Sequence, residues 1–256
     1  MKVLFLTVFI LGITSGITDN NQVESKVYSF SKAKVEKTET GEKRQFMDGP
    51  TFHMENFEIH TTMLKPGNAP HGSQLHTDGE ELVIIKEGKL EITINNESKV
   101  MGAGSVALIM PGDEHGLKNA GETNATYYIV KYKSKSAIDN ERAKNAGGSK
   151  LFNWDDLEFK PHDRGGVRSY FDQKSSMSER IEMHVTTLNS AIKSHEPHTH
   201  GPAEIVIMMA GTTEMEIGDS IYQGEVGDIY FLESDIPHAI RNTGTEPCMY
   251  MAFQWE

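Results

Sequence analysis

One half of this sequence repeats the other, and that constrains the fold more than any other feature. Arg44, Phe46, Asp48 and His60 have counterparts at Arg168, Tyr170, Asp172 and His184, each 124 positions further on. The segment HTTMLKPGNAPH, His60 to His71, lines up with HVTTLNSAIKSH, His184 to His195, at the same offset. One extra residue in the first copy, within Thr77 to Glu81, then shortens the offset to 123. Beyond it Glu81, Gly88, Gly104, His115 and Asn119 match Glu204, Gly211, Gly227, His238 and Asn242. A shared offset broken by a single one-residue step marks a tandem duplication, so one supersecondary plan has to serve both halves.

The copies run over residues 26–133 and 150–256, and the polar stretch 134–149 reads as a linker with a short helix over 137–146. Within each copy the segments are short and mostly β. Strands are expected over 81–87, 89–95, 105–110 and 126–132, and again over 204–210, 212–217, 228–233 and 248–255. Gly, Pro, Asn and Asp punctuate them, and no helical apolar stripe competes. The expected fold class is all-β, two sandwiches or barrels in tandem.

The chemistry-bearing residues concentrate in the second copy. The stretch HEPHTHGPAEIVIMMAG, His195 to Gly211, brings three histidines and Glu204 together just before an apolar run. Alternation on an extended chain points His198 and His200 the same way. Two imidazoles followed by a carboxylate form the front of a metal site, and His238, in GDIYFLESDIPHAIRN, is the candidate for the missing donor. His195 reads as a rim residue, and Asn242 and Gly227 as turn and strand-end residues. Val206 and Met208 are expected to share the inward face with Glu204, with Met183, Phe253 and Trp255 as further wall candidates. In the first copy Gln74 stands where His198 stands, while His76, Glu81 and His115 remain. Glutamine oxygen is a weaker donor than imidazole. His71 and Glu80 are possible substitutes there, although alternation turns Glu80 outward.

This order of residues resembles the cupin superfamily. His198-Thr199-His200, Glu204 and Gly211 look like its first motif, and Gly227, Pro237, His238 and Asn242 like its second. Finding both motifs twice makes the chain look like a bicupin. The resemblance implies two tandem double-stranded β-helix (jelly-roll) barrels, each enclosing a metal position. It also implies His198, His200, Glu204 and His238 as ligands in the second barrel and Gln74, His76, Glu81 and His115 in the first. A divalent cation is expected: Mn or Fe suits a histidine-rich, carboxylate-containing site with open positions, with Zn or Ni as alternatives. Glu204 is then a ligand and a candidate proton acceptor. Among bicupins the chain is similar to ureidoglycine aminohydrolases, oxalate decarboxylases and quercetin dioxygenases. Gln74 departs from the first-barrel histidine pair of the latter two, and the second barrel lacks the modified ligand arrangement of the first.

Two functions fit. One is a metal-dependent enzyme acting on a small polar molecule by oxygenase, decarboxylase or hydrolase chemistry. The other is a non-catalytic protein that binds a sugar, an organic acid or the metal itself. Arg168 and Arg241, if near the second mouth, would favour an anionic ligand. The net charge of −12, with no basic block, argues against nucleic acid and anionic membrane surfaces as partners. Residues 1–16 have the basic, apolar, small-residue order of a signal peptide, which predicts an exported, periplasmic or extracellular protein with no membrane attachment after its removal. Cys248 is the single cysteine, so no internal disulfide can form. A homodimer is compatible with the sequence, although the two copies can bury a sheet face within one chain.

Overall fold

The computed structural model describes residues 22–256, so the signal-peptide expectation lies outside the described residues. Among the described residues each copy forms a seven-stranded sheet facing a smaller one, of four strands in the first copy and three in the second. The strands pair antiparallel throughout. Both barrels expected from the sequence are present. The helix Asn140–Asn145 lies in the connecting stretch, capped by the Asp139 side chain. No helix among the described residues is long and apolar enough to cross a membrane.

The duplication is visible down to irregularities. Strand Gly41–Gly49 slips register against Met54–Leu64 between Gln45 and Met47, and Gly165–Gln173 slips against Ile181–Leu188 between Ser169 and Phe171. A bulge reproduced at the same offset is a designed bend of the sheet. These four outer strands escape the sequence reading because charged and polar residues interrupt them, as in GEKRQFMDG.

Three apolar cores hold the molecule together. One fills each barrel, and the third lies between the two large sheets. The central strands therefore face a core on both sides, which is why Glu80–Glu87 and Ala203–Ala210 read as continuous apolar runs rather than alternating ones. Along the second, Val206 and Met208 point into their own barrel, while Ile205 and Ile207 join the shared core. Met183, Phe253 and Trp255 belong to that shared core and do not wall the second barrel's cavity, correcting the expectation. Their strand parity places them opposite the barrel interior, with Trp255 stacked on Phe57 of the other copy at 4.5 Å.

The copies also exchange strands. Lys26–Tyr28, at the start of the first, pairs with Ile229–Phe231 of the second. Lys150–Phe152, at the start of the second, pairs with Val106–Leu108 of the first. At the matching glycines, Gly104 (φ 84°) lies under Trp154 and Gly227 (φ 97°) under Phe30. A Cβ at either would sit within 3 Å of the incoming ring, so only glycine fits. Tyr128 donates to the Gly227 carbonyl, and Tyr170 returns the bond to that of Gly104.

Candidate metal centre

In the second barrel His198 and His200 lie in the irregular segment just before strand Ala203–Ala210, not on the strand itself. Backbone hydrogen bonds in both directions between His198 and His238, 3.2 and 3.0 Å, clamp that segment to strand His238–Asn242. The pair of bonds sets His198 beside His238, and the rings of His198 and His200 lie with centroids 5.4 Å apart. Nδ1 of His200 donates to the Pro202 carbonyl at 2.8 Å, and that of His238 to Ile236 at 2.9 Å. With Nδ1–H committed to a carbonyl, each ring turns a lone pair on Nε2 toward the barrel axis.

The donor atoms converge. Ring nitrogens of His198, His200 and His238 lie within 4.8 Å of one another. The Glu204 carboxylate sits 3.4 Å from His200 Nε2 and 3.7 Å from His238 Nε2. His200 Nε2 is buried without a hydrogen-bond partner, a costly arrangement unless something else ligates it. Burial holds the pKa values of His198 and His238 below the ordinary one, and the neighbouring carboxylate of Glu204 raises that of His200. Three imidazoles with a carboxylate beside them make a donor set that fits a divalent cation.

The surrounding cavity, of about 220 Å³, has Thr186, Ser194, Tyr250 and Gln254 on its polar side. Val206, Met215, Leu232 and Ile240 form its apolar wall, while Met208 lies deeper, in the barrel core. His195 packs edge-on against His198 with ring centroids 4.1 Å apart and lines the rim. Neither arginine considered from sequence reaches the cavity. Arg168 lies between the Trp154 and Phe159 rings, 4.8 Å from each, and Arg241 is exposed. Asn242 ties the turns together by donating to the carbonyls of Leu188, Asn189 and Glu246. Cys248 is buried, which pushes its thiol up to about 11 and makes it a poor nucleophile.

The first barrel repeats this construction with changes. Gln74 pairs with His115 in the register that His198 keeps with His238. His76, Glu81 and His115 keep their donor atoms within 4.8 Å. Nδ1 of His115 donates to the Asp113 carbonyl at 3.2 Å, and His76 Nε2 is buried without a partner. His71 lines the cavity of about 320 Å³ as an exposed residue, outside the convergent group. Glu80 does turn away from the barrel interior, but into the seam between the copies rather than to solvent. There it accepts from the Met177 amide at 3.0 Å, and burial raises its pKa.

Two features were missed from sequence. Glu58 accepts from His60 Nδ1 at 2.8 Å, and Glu182 from His184 Nδ1 at 2.9 Å, the same pair beside each cavity. More consequential is Lys131, whose Nζ lies 3.4 Å from Glu81 Oε2. It faces Glu81 across the sheet as Gln254 faces Glu204, so the repeat alignment already held the signal.

The sequence profile of the cupin domain matches residues 60–131 and 185–253, more than half of the chain. The chain belongs to the cupin family. The two matched segments make it a bicupin. No curated protein sequence is significantly similar to it. Several solved structures share the bicupin fold at low identity. AerE of Microcystis aeruginosa aligns with a TM-score of 0.68 at 16% identity, covering 88% of this chain and 97% of that one. The Lactobacillus farciminis oxalate decarboxylase formate complex aligns at 0.69 and 16%, covering 91% and 87%. Protein Ylba of E. coli aligns at 0.70 and 12%, covering 90% of each.

Proposed function

We propose that this bicupin is an exported, metal-dependent enzyme acting on a small polar molecule, with its working metal in the second barrel. The observation that carries the reading is the convergence of the His198, His200 and His238 ring nitrogens in a small cavity, with the Glu204 carboxylate beside two of them. Those four residues would hold the ion, and the donor set favours Mn(II) or Fe(II), with Zn(II) or Ni(II) as alternatives. Bound there, a divalent metal supplies Lewis acidity, or redox activity if it is iron or manganese, at positions the protein leaves open.

The chain's own groups define what can enter. Among the described residues, no lysine or arginine lines the second cavity, and the carboxylate lining it is that of Glu204. A ligand carrying several negative charges would meet no fixed protein cation there, so the reading favours a neutral or singly charged substrate. Ser194, Thr186, Tyr250 and Gln254 offer hydroxyl and amide groups to orient it, while Val206 and Leu232 exclude water from one side. Glu204 is placed to take a proton from a bound substrate, as well as to bind the ion. Bicupin relatives include oxalate decarboxylases, one of them solved with formate, which supports small-molecule chemistry but at 16% identity does not transfer the substrate.

The test is metal analysis of the mature protein followed by turnover screening of small polyols, phenols, amides and monocarboxylates, with and without oxygen. Turnover that needs the metal and is lost in Glu204→Gln supports the enzyme. Tight retention of a small ligand with no turnover of any class would instead establish a binding protein.

A further inference from the structure

The two barrels share a site that differs at two telling positions: Gln74 holds the register of His198, and Lys131 that of Gln254. We propose that the Lys131 ammonium is the resident cation of the first barrel, occupying the role that a divalent metal takes in the second, and that the first barrel is metal-free.

The geometry carries this. Glu81 is a buried carboxylate that needs a positive partner, and Lys131 Nζ provides it at 3.4 Å. In the second barrel the equivalent residue, Gln254, is neutral, so Glu204 keeps its charge for something else. The other charges at the first cavity pair among themselves: Lys43 Nζ lies 3.7 Å from Glu58, which also binds His60. A divalent ion among His76, Glu81 and His115 would have to approach an ammonium that contacts one of its own ligands. With the ammonium 3.4 Å from one of the ligand oxygens, the two cations would repel at close range. The Gln74 amide, in the register of His198, also puts a weaker donor where the second barrel has an imidazole. The first barrel thus keeps the donor arrangement and has replaced the ion with a side chain.

The experiment uses full-length protein in a His200→Ala background, which silences the second barrel, and titrates Mn(II) and Zn(II) by native mass spectrometry. The background protein should hold no tightly bound metal. Adding Lys131→Gln should raise first-barrel affinity by at least about tenfold, and Gln74→His should raise it further. An equivalent of metal in the His200→Ala background that His115→Ala removes would overturn the proposal, as would an unchanged affinity in Lys131→Gln. Should Lys131→Gln fail to fold by circular dichroism, the reciprocal variant decides. Gln254→Lys should expel metal from the second barrel with its fold intact, and full metal retention there would contradict the idea. If wild-type protein carries no metal at all, the reading of the second barrel fails, while the Lys131→Gln arm still reports on the first.

Discussion

The two barrels of this chain are built alike and equipped differently. Both place a glutamate on the central strand, a histidine on the far hairpin and a Glu–His pair beside the cavity. Both anchor their turns with one asparagine, Asn119 or Asn242, donating to carbonyls on either side. The first then carries Gln74 and Lys131 where the second carries His198 and Gln254. On the functions proposed above, two side chains would separate a metal centre from an internal ion pair, because the scaffold fixes where the carboxylate sits. The comparison teaches that burial of a carboxylate is the shared constraint, met in the first barrel by a lysine and in the second by an imidazole cluster that could hold a metal.

The comparison can be broken first at the seam. Trp255 stacks on Phe57 within the core that both copies share. Trp255→Ala should cost about 3–5 kcal/mol and lower a single thermal transition. Two separate transitions in calorimetry would show that the barrels are independent units. Next come the carboxylates. Glu204→Ala should weaken metal binding more than about a hundredfold. Glu81→Ala should leave metal content unchanged and cost about 1 kcal/mol, since the half-buried Lys131 loses its partner. Equal losses of metal in both variants would erase the distinction drawn between the barrels.

Acid stability gives an effect that both barrels should share. His60 holds the Glu58 carboxyl down from its ordinary 4.5 to about 2, and His184 lowers that of Glu182. A depressed carboxylate pKa stabilises the fold above the unfolded-state value, and that contribution is lost as pH falls from about 4.5 toward 2. Allowing for partial exposure, Glu58→Gln should cost about 2 kcal/mol at neutral pH and little at pH 2. Urea melts across that range would show the two curves converging; a constant gap would mean that the pair contributes nothing through charge. Comparable to the Glu81→Ala loss are Tyr128→Phe and Tyr170→Phe, each removing one bond across the exchange for about 1 kcal/mol. Similar losses on the two sides would support the reciprocity of the exchange.

Much of this could be read before any fold was seen. The central strands were legible because cores on both sides make them continuously apolar, as in EIVIMMA. The donor set was legible because His198, His200 and Glu204 crowd into a few residues and His238 follows at a fixed place in the repeat. The outer strands were not, because Gly41–Gly49 and Gly165–Gln173 mix charged residues with apolar ones and carry a bulge that breaks alternation. Nor was the seam: parity says that Phe253 and Trp255 share a face, but not which of two cores that face meets. Lys131 escaped because a lysine near the end of a strand looks like a solvated residue until the register sets it opposite Glu81.

Metal stoichiometry of the purified protein tests the central claim most directly. The account predicts one equivalent of divalent metal per chain, lost in His238→Ala and retained in His115→Ala. Two equivalents, or one that His115→Ala removes and His238→Ala spares, would contradict it.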